Sequence, residues 1–461
     1  MTVFAFPWLE LSFAVPLAGA AVVAAARDYL TAARWCLGFA AATLGCALLA
    51  CAAFYTGHAS DPGLWDWTGR RMFALDELSA LLVPLVALLH LLTALATART
   101  KMPRFSFSGL LADAAVRLAL FACVAPWPLV ALLVVEAAFG SAEVRRRGQS
   151  ARLAGIHAAV FVILLILGYG GVDESPGVAV GLLVAAVLLR TGAFPAQVWF
   201  TDLFDKATFG TSLLFATPLV GVYAAIRLVL PGAPDWALDA LGVVALGTAV
   251  YAAGMGVVQT DGRRFFAYLF VSHASLVLVG LALHTPFAVT GALVMWLSSA
   301  LALTGLGLTL RAVEARVGSL SLAEYRGLYD QSPGLAVCFL LTGLAAVGFP
   351  GTAGFVAAEL LVDEAVGAHL AVGLLVVLTA AINGIGVVRA YLLLFTGRRH
   401  ATGVSLAMTP RERVAVLTLI ALILGGGLVP QAYLESRNRA AAALLTANDL
   451  PGRARSAAPT D

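Results

Sequence analysis

The sequence predicts an all-α protein that crosses a membrane many times, and three observations lead to this prediction. Apolar residues form 61% of the 461-residue chain and charged residues only 12%, against roughly 25% charged residues in globular domains. The apolar residues fall into about fourteen runs, each near the length of roughly 20 residues that spans a bilayer as a helix. Two runs are broken near Pro195 and Pro350, which is typical of transporters with two inverted repeats.

The predicted helices follow one another with short polar connections. Their approximate cores are 9–26, 32–54, 78–98, 108–124, 127–143, 153–171, 178–199, 209–230, 237–258, 265–283, 287–310, 335–366, 370–396 and 412–430. Only Ala125-Pro126 divides the fourth helix from the fifth. After residue 430 there is too little apolar length for a further lateral helix, so we expect the Ala/Arg-rich tail to be mobile.

These helices group into four parts. Residues 1–107 hold the first three helices, and 108–258 form the first repeat, with its broken helix near Pro195. Residues 259–396 form the second repeat, with its broken helix near Pro350, and 397–461 hold the last helix and the mobile tail. The broken helices are therefore the seventh and the twelfth.

Basic residues predict the orientation of the chain. They concentrate in the loops after odd-numbered helices, as at Arg145, Arg146 and Arg147, whereas Arg70 and Arg71 are the main exception. The positive-inside rule then places these loops in the cytoplasm and both termini on the non-cytoplasmic side of the cell membrane. No basic residue precedes the first helix, so we interpret it as a retained span and not a signal peptide. The net charge of +3 thus reflects topology and does not indicate nucleic-acid binding.

Motifs for cofactors are absent from the sequence. The five cysteines all lie in apolar runs without CxxC spacing, which excludes an obvious zinc or iron–sulfur site. There is also no dinucleotide-binding GxGxxG after a strand and no paired haem histidines. We therefore predict no cofactor, metal site or catalytic site in this chain, and any redox chemistry would belong to another subunit.

Two residues inside apolar helices are candidates for proton handling, because ionisable groups at membrane depth are costly and usually functional. Glu136 follows about two helical turns of apolar residues, and a carboxylate there could take up and release a proton. Its structural alternative is an ion pair with Arg190 or Arg117. His273 lies about two turns into the tenth helix, where it could relay protons or simply be a hydrogen-bonded packing residue.

Further charges accompany the two breaks. Arg190 precedes the first break, and its guanidinium stays protonated, so it can act as a fixed charge or bind an anion but cannot pass protons as lysine can. Glu359 is the deepest acid after the second break. Arg389 interrupts the thirteenth helix near its end, where it could also snorkel towards the membrane surface.

Several motifs carry a resemblance to a known superfamily. They are Arg190-Thr-Gly-Ala-Phe-Pro195-Ala-Gln-Val-Trp199-Phe-Thr-Asp202, Asp261-Gly-Arg-Arg-Phe-Phe-Ala-Tyr268 with Ser272-His273, and Gly348-Phe-Pro350-Gly-Thr-Ala-Gly-Phe355 with Glu359. In family order, they resemble the antiporter-like membrane subunits of respiratory complex I, of energy-converting hydrogenases and of multisubunit sodium/proton antiporters. The resemblance implies a fourteen-helix core, proton movement through Glu136, Arg190, His273 and Glu359, and supporting charges at Asp202 and Lys206.

The departures from the family pattern bear on mechanism. The family's lysine in the seventh helix aligns with Arg190, its lysine in the eighth helix aligns with Leu219, and Ala358 stands where the twelfth helix usually carries a charge. The central lysine relay of the family is therefore missing. The stretch from Asp205 to Pro218 also resembles a divergent branch associated with a soluble zinc protein in inorganic-carbon uptake.

Three functions remain open at this point. The chain could be a proton-translocating subunit of an NADH–quinone-oxidoreductase-like complex, with redox subunits as partners. It could be the proton-coupled membrane subunit of a bicarbonate or CO2 accumulation system, with a soluble zinc-binding partner. It could also be a scaffold subunit that no longer conducts. All three functions require the same fold in a lipid bilayer, so the fold does not decide among them.

Overall fold

The structure, a computed structural model, describes residues 6–57, 71–217, 219–397 and 406–456, with side chains described up to residue 446. Arg70, residues 398–405 and residues 457–461, which entered the topology and domain predictions, lie outside the described residues. The described part of the chain is all-α, as expected for a protein that crosses a membrane many times.

Its α-helices are α1 Trp8–Ala24, α2 Tyr29–Tyr55, α3 Ser79–Leu95, α4 Phe107–Ala122, α5 Pro126–Arg146, α6 Arg152–Gly170, α7 Pro176–Thr191, α8 Val198–Lys206, α9 Phe209–Ala216, α10 Val220–Ala224, α11 Asp235–Val258, α12 Gly262–Ala282, α13 Pro286–Val317, α14 Pro333–Ala346, α15 Ala353–Ala368, α16 Leu370–Phe395, α17 Pro410–Leu428 and α18 Gln431–Ser456.

Helix length and composition support membrane insertion. Within the described residues, eight helical segments are long and apolar enough to cross a bilayer, or nine if α17 and the start of α18 count as one bent span. Four further apolar helices, α1, α3, α7 and α14, are shorter. The predicted class is therefore confirmed, whereas fewer than fourteen helices individually reach spanning length, since several are short or broken.

Local signals explain where the helices begin. Asp261 caps α12 by accepting hydrogen bonds from the backbone N–H groups of Arg263 and Arg264 at 2.8 and 3.1 Å. The α17 helix begins with Thr409 and Glu412 in a capping box, with Pro410 in the first turn. Such caps satisfy backbone N–H groups that have no partner within the helix.

The core lies along α12 and α13, which are almost wholly buried. Helix α13 packs against α3, α9, α14, α15, α17 and α18, and α12 packs against α8, α11, α13 and α16. By contrast, α2, α6 and α16 direct most of their residues outwards, as expected for helices that face lipid. The two central helices therefore contact the segments next to the breaks, α12 through α8 and α13 through α14 and α15.

Both predicted breaks are present. Helix α7 ends at Thr191, where Gly192 has a left-handed φ of +78°, and the chain resumes as α8 at Val198. Helix α14 ends at Ala346, and the connection to α15 contains left-handed glycines at Gly348 (φ +81°) and Gly351 (φ +86°). Glycine suits these positions because it lacks the Cβ that makes left-handed backbone unfavourable, and the prolines cannot donate the hydrogen bonds of a continuing helix.

A further break was not predicted. The single helix predicted over 209–230 is interrupted between α9 and α10, where Leu219 has a left-handed φ of +51°. Beyond α10 the chain continues through a π-helical turn at Ala225–Val229 and a short 3-10 turn at Leu230–Gly232. Mean hydropathy does not reveal such a break, because the segment Phe209–Gly232 is apolar enough as a whole to pass for one span. The available signal was Pro218, directly before Leu219, since proline interrupts the hydrogen bonds of a helix.

The tail differs from the mobile segment that the sequence predicts. Residues from Gln431 form α18, which turns by 79° from α17 at a short break. Arg437 is buried and donates to the carbonyl oxygens of Leu78, at 3.0 Å, and Glu77. The Ser436 hydroxyl lies 2.8 Å from the hydroxyl of Tyr55. The sequence did not predict this packing, because composition does not show the polar contacts that hold residues 431–446 against the bundle.

Candidate functional site

The first break places Arg190 in the protein interior. Arg190 lies in the last turn of α7, two residues before the left-handed Gly192. The carbonyl oxygen of Leu189, near the end of α7, accepts from the backbone N–H of Gly192 at 3.2 Å and from the indole N–H of Trp199 on α8 at 3.1 Å. The break is thus closed by a side chain from beyond it, and Arg190 is held at 4% exposure.

Glu136 on α5 is the partner of Arg190. Its carboxyl group is fully buried, and Arg190 donates from Nη2 to Oε1 at 2.6 Å and from Nε to Oε2 at 3.3 Å. Arg117 on α4 approaches the same Oε1 with Nη2 at 2.9 Å. Both ion-pair partners considered from the sequence therefore contact Glu136 together.

The network continues towards α3. Arg117 Nε donates to Asp113 Oδ2 at 2.8 Å, and His90 Nε2 lies 3.0 Å from the same oxygen. The other ring nitrogen of His90 lies 2.8 Å from the carbonyl oxygen of Val86. A chain of five buried ionisable side chains thus runs from His90 through Asp113, Arg117 and Glu136 to Arg190. Its two carboxylates balance its two guanidinium groups.

Aromatic rings cover the arginine end of the network. The guanidinium carbon of Arg190 lies 4.2 Å from the ring centre of Phe215 and 5.8 Å from that of Trp199, and that of Arg117 lies 5.3 Å from Phe215. Cations over aromatic faces are stabilised by the ring quadrupole. His157 in turn stacks on Trp199 at 3.6 Å, so these rings also shield the ion pairs from water.

The sequence prediction missed two members of this network. They are His90 and Asp113, neither of which was among the predicted site residues. The available signal was Asp113 and Arg117 at spacing i, i+4 inside the otherwise apolar α4, a spacing that places two side chains on one helix face. Only the packing of α3, α4, α5 and α7 joins them to Glu136.

His273 lies beside the second break. It is 4% exposed on α12, with Nδ1 2.8 Å from the carbonyl oxygen of Leu269 and Nε2 2.7 Å from that of Ala346, the last residue of α14. A neutral imidazole has one N–H and donates to only one of two acceptors, whereas the imidazolium satisfies both. The geometry is therefore suited to a group that gains and loses a proton.

A small cavity adjoins His273. It has a volume of about 20 Å³ and is lined in part by Ser298, Ser299, Asn383 and Ala358, which is room for one water molecule with several polar partners. Asn383 donates to the hydroxyl of Ser272 at 2.9 Å. This water-sized space extends the polar surroundings of His273 towards α16.

Glu359 is not brought to this cavity. Ala358 lines the space beside His273, whereas Glu359 lies on the exposed face of α15. The one-residue displacement seen in the sequence thus turns the carboxylate by about 100° around the helix. The structure does not place Glu359 and His273 together.

The three supporting charges have local partners. Lys206 Nζ lies 2.6 Å from Asp202 Oδ1 within α8 and donates to Ser150 O at 3.0 Å. Arg389 on α16 donates to the carbonyl oxygen of Gln259, at the end of α11, at 3.0 Å. Arg389 thus connects two helices, and none of these contacts reaches the network around Glu136.

Charges between the two breaks were also missed. On α13, Glu314 accepts hydrogen bonds from Arg263, at 2.8 and 2.9 Å, and from Lys101 at 3.1 Å. One turn away, the buried Arg311 donates to Thr93 O at 3.0 Å and to Thr97 Oγ1 at 2.9 Å. Leu219, at the position of the family's second lysine, is buried and apolar. The position of the family's second lysine is therefore apolar in this chain.

Acidic and basic side chains make up this site. Among the residues that the structure describes, no group of three or more His, Cys, Asp and Glu side chains is arranged to hold a metal ion. The chemistry that the site offers is the exchange of protons and the making and breaking of ion pairs.

Comparison with known proteins identifies relatives of this architecture. Residues 173–383 match the family described as NADH:quinone oxidoreductase/Mrp antiporter, TM. Subunit N of the NADH-quinone oxidoreductase of Rhodococcus opacus is 27% identical over 61% of this chain and 57% of its own length. A chain 4 of the NAD(P)H-quinone oxidoreductase of Trichormus variabilis is 25% identical over 94% of this chain and 90% of its own. The matched region spans only 35% of another relative, subunit M of the F420H2 dehydrogenase of Methanosarcina mazei.

Solved structures show the same fold. A chain of respiratory complex I from Thermus thermophilus with bound NADH superposes with a TM-score of 0.83 at 22% identity, covering 95% of this chain and 99% of that chain. A chain of the Mrp complex from Dietzia sp. DQ12-45-1b superposes with a TM-score of 0.84 at 21% identity, covering 96% and 98%. The chain belongs to the superfamily of complex I and Mrp antiporter-like membrane subunits.

Proposed function

We propose that this chain is a proton-translocating membrane subunit of a complex related to NADH–quinone oxidoreductase. The observation that carries the proposal is the buried ion pair between Glu136 and Arg190 at the first break. The carboxylate of Glu136 can bind a proton, and its partner Arg190 lies at a helix break where the backbone can move. Redox or other driving chemistry would come from the partner subunits.

The mechanism follows from the charges. Arg190 keeps its proton, so the group that changes protonation is Glu136. While both guanidinium groups contact Glu136, its carboxylate is the anion that balances them. Glu136 therefore takes up a proton only when an ion pair opens, and movement of the end of α7 about Gly192 would separate Arg190 from it. In this scheme Arg190 is a switch that sets when Glu136 is protonated, and His273 carries protons at the second half-site.

The finer topology belongs to the same proposal. We infer fourteen spans in which α7 with α8, and α14 with α15, are the broken members of two inverted repeats over 108–258 and 259–396. The basic loops then face the cytoplasm, and both termini lie on the other side. Glu359 would face a neighbouring subunit or lipid and not the path through His273.

A second candidate function is supported by the altered lysine positions. Arg190 cannot release a proton, and Leu219 is apolar at the position of the family's second lysine, so coupling here would differ from a lysine relay. That difference would suit a proton-coupled subunit of a bicarbonate or CO2 accumulation system. The protein that co-purifies with the chain distinguishes the two functions, since the first expects redox subunits and the second a soluble zinc-binding protein.

The test is proton flux through the purified complex in liposomes that contain a pH-sensitive dye. Glu136→Gln should lower the flux by about tenfold or more, equivalent to a barrier at least 1.4 kcal/mol higher. Glu435→Gln, which alters an exposed carboxylate on α18, is the matched control and should leave the flux unchanged. Equal proton flux in wild type and Glu136→Gln would refute the mechanism. Absence of proton flux through the wild-type complex would favour a scaffold subunit that does not conduct.

A further inference from the structure

A cavity of about 200 Å³ opens beside the ion-pair network, between α4, α5 and α9. Its lining includes Ser106 and Arg146, at the ends of their helices, and Asp113, Leu214 and Phe215 further in. Asp113 lies seven residues beyond Ser106, which is about 10 Å along α4. The cavity thus extends from the surface with the basic loops to a member of the network.

Two carboxyl groups in this cavity have an oxygen without a partner. Asp113 Oδ1 and Glu143 Oε1 are buried and accept no hydrogen bond from the described residues, and both residues are 7% exposed. Their other oxygens are engaged, Asp113 Oδ2 with Arg117 and Glu143 Oε2 with Arg146 at 2.8 and 2.9 Å. A buried acceptor without a partner costs about 1–3 kcal/mol, so each oxygen calls for a ligand that donates a hydrogen bond.

Water fits this requirement better than a metal cation does. The volume is sufficient for several water molecules, which typically occupy sites with otherwise unsatisfied polar groups. A metal cation offers these oxygens no hydrogen bond, whereas each water molecule donates two and can also accept the N–H groups of Arg104, Arg146 and Arg147 that line the neighbouring pocket at the mouth. Hydrogen-bonded water is also the medium along which a proton moves from one acceptor to the next.

We propose that this cavity is a hydrated proton-entry site, with Glu143 and then Asp113 as successive proton acceptors on the way to the Glu136 network. This rests on the proposed function. Arg117 contacts both Asp113 and Glu136, so a proton that neutralises Asp113 weakens its hold on Arg117 and leaves the guanidinium to Glu136 alone. Uptake at the cavity is thereby transmitted to the buried pair through one side chain.

The first test measures water in the cavity without requiring transport. Single cysteines are introduced into a variant that lacks the five native cysteines. Leu214→Cys and Thr211→Cys place a thiol in the cavity lining, whereas Leu213→Cys places one at a fully buried position on the same helix. A membrane-impermeant anionic thiosulfonate, which the arginines at the mouth do not repel, is added to the face with the basic loops. The two lining cysteines should react at least about tenfold faster than Leu213→Cys, because only a hydrated thiol forms the reactive thiolate readily. Equal, slow reaction at all three positions would overturn the proposal.

The second test uses flux. Glu143→Gln leaves the Asp113–Arg117 pair in place and should lower proton flux several-fold, and Asp113→Asn should lower it further. Unchanged flux in Glu143→Gln, with the cavity reactive to the reagent, would show that water enters but protons do not use this route, which overturns the entry role. The failures are distinguishable, since Glu136→Gln tests the proposed function and the lining cysteines test the cavity.

Discussion

The carboxylate of Glu136 balances the charge of buried guanidinium groups, so its removal should unbalance the interior in a way that a second substitution repairs. Glu136→Gln leaves Arg190 charged and buried, with the carboxylate that it contacts at 2.6 Å replaced by a neutral amide. Arg117 retains Asp113. Breaking a buried pair by removing one partner costs about 3–5 kcal/mol, and we expect a loss of this size in the free energy of unfolding.

The double variant Glu136→Gln with Arg190→Gln removes both charges and restores neutrality. It should therefore be more stable than Glu136→Gln alone, with an interaction free energy of about 1–3 kcal/mol between the two sites. The measurement is reversible unfolding of the purified protein in mixed micelles with increasing denaturing detergent, followed by circular dichroism. The wild type, both single variants and the double variant complete the cycle.

Glu359→Gln is the matched control, because it makes the same chemical change at an exposed carboxylate on α15. Its effect should stay within about 0.5 kcal/mol. If the two substitutions at Glu136 and Arg190 are additive within about 0.5 kcal/mol, the two charges are not energetically coupled. The role of Arg190 as the electrostatic switch for Glu136 would then have no basis.

Two further predictions concern the second break and the loop before α3. A Cβ at Gly427 on α17 would lie 2.5 Å from backbone atoms of Thr352 in the break, whereas a Cβ at Gly425 would meet no atom within 4 Å. Gly427→Ala should therefore lower the free energy of unfolding by about 1–3 kcal/mol, and the control Gly425→Ala should leave it unchanged. Burial tends to raise the pKa of the Asp76 carboxyl, but Arg227, with Nη2 at 2.6 Å, and Ser79 hold it below its usual value. The stability that Asp76 adds over Asp76→Asn should therefore be complete above about pH 4 and disappear as the pH falls below that, as unfolding measured across pH would show.

The class of the protein and the location of the breaks near Pro195 and Pro350 were already determined by the sequence, whereas the break at Leu219 was missed. Apolar runs of spanning length force a helical structure, because backbone groups in lipid must find partners within the helix. Proline and glycine at the breaks then act locally, through a missing N–H and a tolerated left-handed φ. Glu136 and Arg190 could likewise be selected from the sequence because charge is rare in such surroundings.

Which charges meet was decided by the tertiary structure. His90, Asp113 and Arg117 come from α3 and α4, and their contact with Glu136 depends on helix packing that no local pattern encodes. The exposed direction of Glu359 and the buried Arg437 of α18 were decided in the same way. Hydropathy predicts which segments are removed from water, because burial of apolar surface has no directional requirement. Ion pairs and hydrogen bonds require particular distances and angles, and only the packing of the helices sets these.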